Sequence, residues 1–258
     1  MDAERTAFAG AAEQARMLAA GAITSPELVA LYLDRIARLD GSLNAYRVVR
    51  GSAARAEAAE AQRRLDAGER LPLLGVPIAI KDDVDVAGEV TAWGTSAHGS
   101  EKEGDAEVVR MLRAAGAIVL GKTNVPEMTI WPFTESATFG ATRNPWDRSR
   151  SPGGSSGGTA AAVAAGLAPL GLGSDGGGSI RTPATWCGLY GLKPQRGRVP
   201  LSPHDDGWHG LIVNGPITRT VEDAALFLDA TSTLPVPEGG FVAAASRPPG
   251  RLRVAISV

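Results

Sequence analysis

The chain has 258 residues, 44% of them hydrophobic, with a formal net charge of −2 and a pI near 6.0. That is enough apolar material for a core, and without a basic patch it argues against nucleic-acid binding. No run approaches the ~18 apolar residues of a membrane span, and Asp2, Glu4, Arg5, Glu13 and Arg16 interrupt any signal-peptide-like stretch at the start.

Residues 8–20 and 25–40 read as helices. In the second, Ser25 is the expected N-cap with Pro26 at the first helical position, and Leu28, Val29, Leu31, Tyr32, Leu33 and Ile36 recur at helical spacing. Residues 51–68, rich in Ala, Arg and Glu, predict a solvated helix. The apolar run from Val76 to Ile80 predicts a buried strand ending at Lys81. A helix is expected over 106–115 and a strand over 117–120. Residues 157–167 suit a small-residue helix packed in the interior. Thr220 to Ala230 is a helix with a Thr-x-x-Asp cap formed by Thr220 and Asp223. Residues 232–250 read as a loop, and Arg251 to Val258 as a strand. Helices alternating with short apolar strands place the chain in the α/β class with a largely covered sheet. No internal repeat or domain boundary stands out, so 1–258 is read as one domain, with a helical region over 1–70 and a core over 71–230. An apolar strand at the terminus needs a neighbour, which predicts the front part of a longer fold.

The segment from Gly153 to Leu192 holds twelve glycines and only two charged residues, Asp175 and Arg181. Its apolar runs, Ala160 to Leu172 and Thr185 to Leu192, set it apart from a flexible linker. Charge-poor and glycine-rich sequence implies a buried backbone brought close to something. Ser155, Ser156 and Ser179 lie at its bends. Ser179 follows Gly176, Gly177 and Gly178, whose unshielded N–H groups can converge on an oxygen that becomes negative. A hydroxyl beside such a nest suggests acyl transfer through a serine ester.

Three pattern matches are set aside. Gly116 to Thr123 fits the phosphate-loop pattern, but its middle residues, Ala117 to Leu120, are strand-like and Pro126 follows closely. Gly171 to Gly176 fits a dinucleotide fingerprint but lacks a long helix and an acidic residue at the required distance. Gly153 to Gly157 fits a nucleophile elbow that Asp205 or Asp206 and His209 would complete; charged, proline-containing sequence precedes it where a strand is needed. His98, His204 and His209 all sit in polar, loop-like sequence. Lys81 is then the best candidate base. To be half neutral near pH 7 its reference pKa of ~10.4 must fall by roughly 3 units. The competing reading is an ion pair with Asp82, Asp83 or Asp85.

The segments GVPIAIKDDVDVAG, GKTNVPEM, RNPWDRSRSPGGSSGG, GLGSDGGGSIRTPATWCGLYGLKP and GPITRTVEDAALFLDA, in this order, resemble the amidase signature family of serine hydrolases. The resemblance runs from about residue 60 to 258. It implies a mixed, largely buried β-sheet covered by helices on both faces. It also implies a Ser–cis-Ser–Lys triad, with Ser179 as nucleophile, Ser155 as the bridging serine on a cis peptide and Lys81 as base. Gly176, Gly177 and Gly178 would supply oxyanion N–H groups, and Thr129 would line the acyl pocket. Members of the family are nearly twice this long, their C-terminal half completing the sheet and the pocket. The implied activity is hydrolysis of a small-molecule amide, with no metal or cofactor. One component of a glutamine-dependent amidotransferase and a catalytically incomplete fragment are the alternatives, and a homodimer stays open. Asp175 and Arg181 are expected to brace the glycine nest. Cys187, the single cysteine, is expected to be inert core in a reducing, cytoplasmic compartment. Trp131, Phe133 and Trp208 are candidates for the pocket, with burial in the core as the commoner case.

Overall fold

A computed structural model describes residues 2–97, 99–204, 207–251 and 253. Two helices, α1 (Ala3–Phe8) and α2 (Ala11–Ala19), stand where the sequence reads one. The break is at Gly10, where a Cβ would lie 2.5 Å from the Asp223 carboxylate. Asp223 Oδ1 accepts the Ala12 N–H at 2.9 Å, so a residue far along the chain satisfies the first turn of α2. In α3 (Ser25–Leu39) the N-cap is Thr24, not Ser25. Thr24 Oγ1 accepts from the Glu27 N–H at 3.3 Å and Glu27 Oε2 accepts from the Thr24 N–H at 2.9 Å, a reciprocal capping box. Ser25 instead donates to the Gly75 carbonyl.

Strand β1 (Tyr46–Val49) has no counterpart in the sequence reading; four residues are too few to show alternation. The helix α4 (Gly51–Asp66) is solvated on most of its surface, yet it buries a stripe of Ala54, Ala58, Ala61 and Leu65. The elements β2 (Pro77–Lys81), α5 (Glu107–Ala114) and β3 (Ile118–Thr123) follow. The phosphate-loop match is therefore mostly strand. Its Lys122 is fully buried and paired with Asp82 at 2.9 Å. A separate two-stranded ribbon joins β4 (Glu135–Ser136) and β5 (Gly140–Ala141).

Next come α6 (Gly157–Ala164), β6 (Leu170–Asp175), α7 (Arg181–Cys187), β7 (Tyr190–Gly191) and β8 (Val213–Thr218). Then α8 (Val221–Thr231) starts at its predicted cap, with Thr220 Oγ1 accepting the Asp223 N–H at 3.1 Å. A short helix, α9 (Gly240–Ser246), occupies the stretch read as loop. It forms because the Asp229 carboxylate accepts the N–H groups of Phe241 and Val242. Apart from Arg251 and Arg253, the strand expected at 251–258 lies outside the described residues.

The main sheet has the order β1-β3-β2-β6-β8-β7. Its centre, β3-β2-β6, is parallel, and β1, β8 and β7 join antiparallel, so the sheet is mixed. Every residue of β2, β3, β6 and β8 is buried, which requires cover on both faces. The main hydrophobic cluster runs from Ala7 to Leu228, so the N-terminal helices and the sheet share one core. Helix α6 packs on β2, β6 and β8 at very close range. A Cβ at Gly158 would lie 2.5 Å from both the N and O of Asn124. Gly158→Ala is therefore expected to destabilise the fold by about 1–3 kcal/mol through overpacking, read as a lower urea midpoint at unchanged slope.

Candidate active site

Two parallel strands deliver the chemistry at their carboxyl ends, where open α/β sheets place their sites. Strand β2 ends at Lys81 and β6 ends at Ser174 and Asp175. The Lys81 side chain is fully buried. Its Nζ lies 2.8 Å from Ser155 Oγ, 2.7 Å from Ser174 Oγ and 3.0 Å from Asp83 Oδ2. An ammonium has three protons, and here it finds three acceptors. A neutral amine would keep two of these bonds and turn its lone pair on the third partner. Burial pushes the Lys81 pKa down from its ordinary value, and the neighbouring Asp83 opposes that fall.

Both readings of Lys81 thus meet in one side chain. Of the three nearby carboxylates only Asp83 pairs with it. Asp82 is engaged by Lys122 and Arg47, and Asp85 accepts from Thr91 and faces Lys102 at 3.7 Å. Ser174, absent from the sequence reading, donates to Asp83 Oδ2 at 2.5 Å while accepting from Lys81. Its place at the end of an apolar, glycine-spaced run was the available signal, and it becomes readable only once that run is known to be a strand.

Ser155 is 1% exposed, and the Gly154–Ser155 peptide bond is cis. Only glycine fits at 154, since a Cβ would sit 2.7 Å from the Trp131 carbonyl oxygen and the Phe133 nitrogen. Ser156 is turned elsewhere: its N–H donates to the Ser179 carbonyl at 3.2 Å and its hydroxyl to the Ser174 carbonyl at 3.2 Å. Ser179 lines a hollow of about 120 Å³ together with Gly154, Gly177, Gly178, Thr129 and Trp208. No hydrogen bond of Ser179 Oγ occurs among the described residues, which leaves the hydroxyl free to meet a ligand.

The glycine turn is held from below by Asp175. Its carboxylate accepts the N–H groups of Gly178 at 2.7 Å and Ile180 at 3.1 Å, and the Arg181 guanidinium grips both its oxygens at 3.0 Å. Burial would raise the Asp175 carboxyl, but Arg181 and these N–H donors outweigh it and hold it below the usual carboxylate range. The expectation for Gly178 needs correction. Its N–H is already committed to Asp175, so it is not a free oxyanion donor. The N–H groups of Gly176, Gly177 and Ser179 have no acceptor among the described residues. Asp175→Ala would orphan several buried donors at once. A loss of about 3 kcal/mol of stability is expected by denaturant titration, with slower acylation of Ser179.

Thr129, with φ of 57°, lies on the wall of the Ser179 hollow and of a larger adjoining cavity. Trp208 borders both as well. Trp131 and Phe133 stack on each other with ring centroids 5.7 Å apart and are 49% and 40% exposed, so they are not core residues. Cys187 is fully buried, and burial pushes its thiol up to about 12. His204 packs edge-on against Trp93. Among the described residues lysine, not histidine, reaches Ser155. Asp205, Asp206 and His98 lie outside the described residues. No helix of the described residues is long and apolar enough to cross a membrane.

A mixed α/β sheet with a buried lysine and a cis-linked serine at its carboxyl edge, beside a glycine turn, defines a class of site suited to acyl transfer. A sequence model of the family described as Amidase matches residues 27–257, and the chain belongs to that family. It is 71% identical over 257 residues to AmiB2 of Mycobacterium tuberculosis (strain ATCC 25618 / H37Rv), a protein named as an amidase, covering 100% of this chain and 56% of that one. It is 44% identical over 238 residues to one of the subunits of glutamyl-tRNA(Gln) amidotransferase from Roseiflexus castenholzii, covering 88% of this chain and 49% of that one. Native peptide amidase from Stenotrophomonas maltophilia superposes with a TM-score of 0.78 at 37% identity, over 94% of this chain and 51% of that one. The chain spans about half the length of these relatives.

Proposed function

We propose that residues 71–230 carry the catalytic core of an amidase that cleaves a carboxylic amide C–N bond through an acyl-serine intermediate. The observation that carries this reading is the fully buried Lys81 amine 2.8 Å from the hydroxyl of cis-linked Ser155. Neutral Lys81 takes the Ser155 proton as Ser155 takes that of Ser179, and Ser179 Oγ attacks the amide carbonyl. The N–H groups of Gly176, Gly177 and Ser179 receive the negative oxygen, an effect worth ~2.7–4 kcal/mol per donor. The proton returns through Ser155 to the leaving nitrogen, and water cleaves the ester by the same relay.

Intact-mass analysis after treatment with a fluorophosphonate tests the assignment. One adduct is expected, mapped by peptide sequencing to Ser179. An adduct on Ser155 would favour the nucleophile-elbow arrangement instead. The likeness to glutamyl-tRNA(Gln) amidotransferase supports a second reading, in which the same residues release ammonia from glutamine for a partner. Glutamine hydrolysis that requires an added partner protein would select it. The free, buried Cys187 fits a cytoplasmic setting.

A further inference from the structure

A cavity of about 400 Å³ adjoins the serine–lysine cluster and shares Thr129 and Trp208 with the Ser179 hollow. Trp93, Trp208, Met128 and Ile212 contribute apolar wall, and Asp83, Ser174, Thr129, His204 and Asn214 contribute polar groups. Among the described residues the lining contains no lysine or arginine, and Asp83 is its carboxylate. Asp83 is 7% exposed. Its Oδ2 is engaged by Ser174 Oγ and Lys81 Nζ, but Oδ1 is buried with no hydrogen-bond partner among the described residues. A buried carboxylate oxygen without a donor is a costly feature that needs a reason.

The reaction sharpens the point. The working base is neutral Lys81, and in that form Asp83 loses its countercharge inside a site of low dielectric. A neutral acyl chain would leave the carboxylate uncompensated, whereas a cation would replace what Lys81 gave up. Indole rings in the same wall favour a cation further.

We infer that this cavity receives an amide substrate whose short acyl chain bears a primary ammonium group, which pairs with the Asp83 carboxylate beside Trp93 and Trp208. The inference rests on the acyl-serine reading above and adds the substrate class to it. Asp83 is then a specificity-determining residue, and it also positions Lys81 through Oδ2.

Two measurements on the full protein test it. The first compares kcat/KM for 4-aminobutyryl and β-alanyl 4-nitroanilides with that for their uncharged isosteres, the valeryl and butyryl 4-nitroanilides. A preference of about tenfold or more for the ammonium-bearing member of each pair is expected, collapsing to about parity in Asp83→Asn. The ratio is the readout because Asp83→Asn also alters the environment of Lys81 and shifts both members together. The second measures protection of Ser179 from fluorophosphonate labelling by n-butylammonium, which needs no amide turnover. Protection is expected in the wild type and is expected to require about tenfold more amine in Asp83→Asn. Equal kcat/KM within each pair, a preference that survives Asp83→Asn, or labelling indifferent to the amine would each overturn the inference while leaving the amidase reading intact. Absence of any labelling of Ser179 would overturn both.

Discussion

Lys81→Ala is expected to lower kcat/KM for amide hydrolysis by about 10⁴-fold, the upper range for loss of a general base. The side chain is fully buried at the end of β2, and its amine touches Ser155, Ser174 and Asp83. Lys81→Arg should not rescue, since a guanidinium stays charged and cannot accept a proton. The pH profile supplies the sign. Activity needs the neutral amine, so it rises with pH as Lys81 deprotonates. Burial lowers the Lys81 pKa and moves this rise below the range of an ordinary lysine, while Asp83 holds it back. Removing the carboxylate in Asp83→Asn therefore shifts the acid limb to lower pH. A limb at the position of an exposed lysine, or unmoved in Asp83→Asn, would count against Lys81 as the base. Alanine replacements of His204 and His209 are expected to leave the limb in place.

Ser179→Ala is expected to abolish the fluorophosphonate adduct and to reduce turnover by about five to six orders of magnitude, as for nucleophiles that act with their base as a unit. Stability should change by less than about 0.5 kcal/mol, because among the described residues the Ser179 hydroxyl holds no hydrogen bond that the fold would miss. Ser155→Ala should behave differently. The nucleophile remains and can still be labelled, but the link to Lys81 is cut, so acylation slows by a factor close to that of Lys81→Ala. Combining Ser155→Ala with Lys81→Ala should add little, since both break the same relay. Full additivity in that double variant would show that the two residues act independently.

The sequence by itself determined the residues that carry the proposed chemistry and the elements with strong local signals. Lys81 at the end of an apolar run, Ser155 in GGSSGG and Ser179 after three glycines are all visible without a fold. So is the α8 cap, because Thr220 and Asp223 lie within one helical turn. What the sequence could not give were arrangements set by residues far apart in the chain. Strand β6 has no counterpart in the sequence reading, because Gly171 and Gly173 supply no side chains to the pattern that marks a strand. In the fold these glycines are demanded by α6 and β8, since a Cβ at 171 would meet Thr159 and one at 173 would meet Ser156 and Ile217. The break at Gly10 likewise answers to Asp223. The commitment of the Gly178 N–H to Asp175 required the turn itself to be built. The choice of Asp83 over Asp82 and Asp85, and the entry of Ser174, depend on bringing β2 and β6 together, with Ser155 74 residues and Ser174 93 residues from Lys81 along the chain. Local chemistry is written in short stretches of sequence; which buried charge faces which hydroxyl is decided only when close packing of distant strands leaves each polar group a limited set of partners.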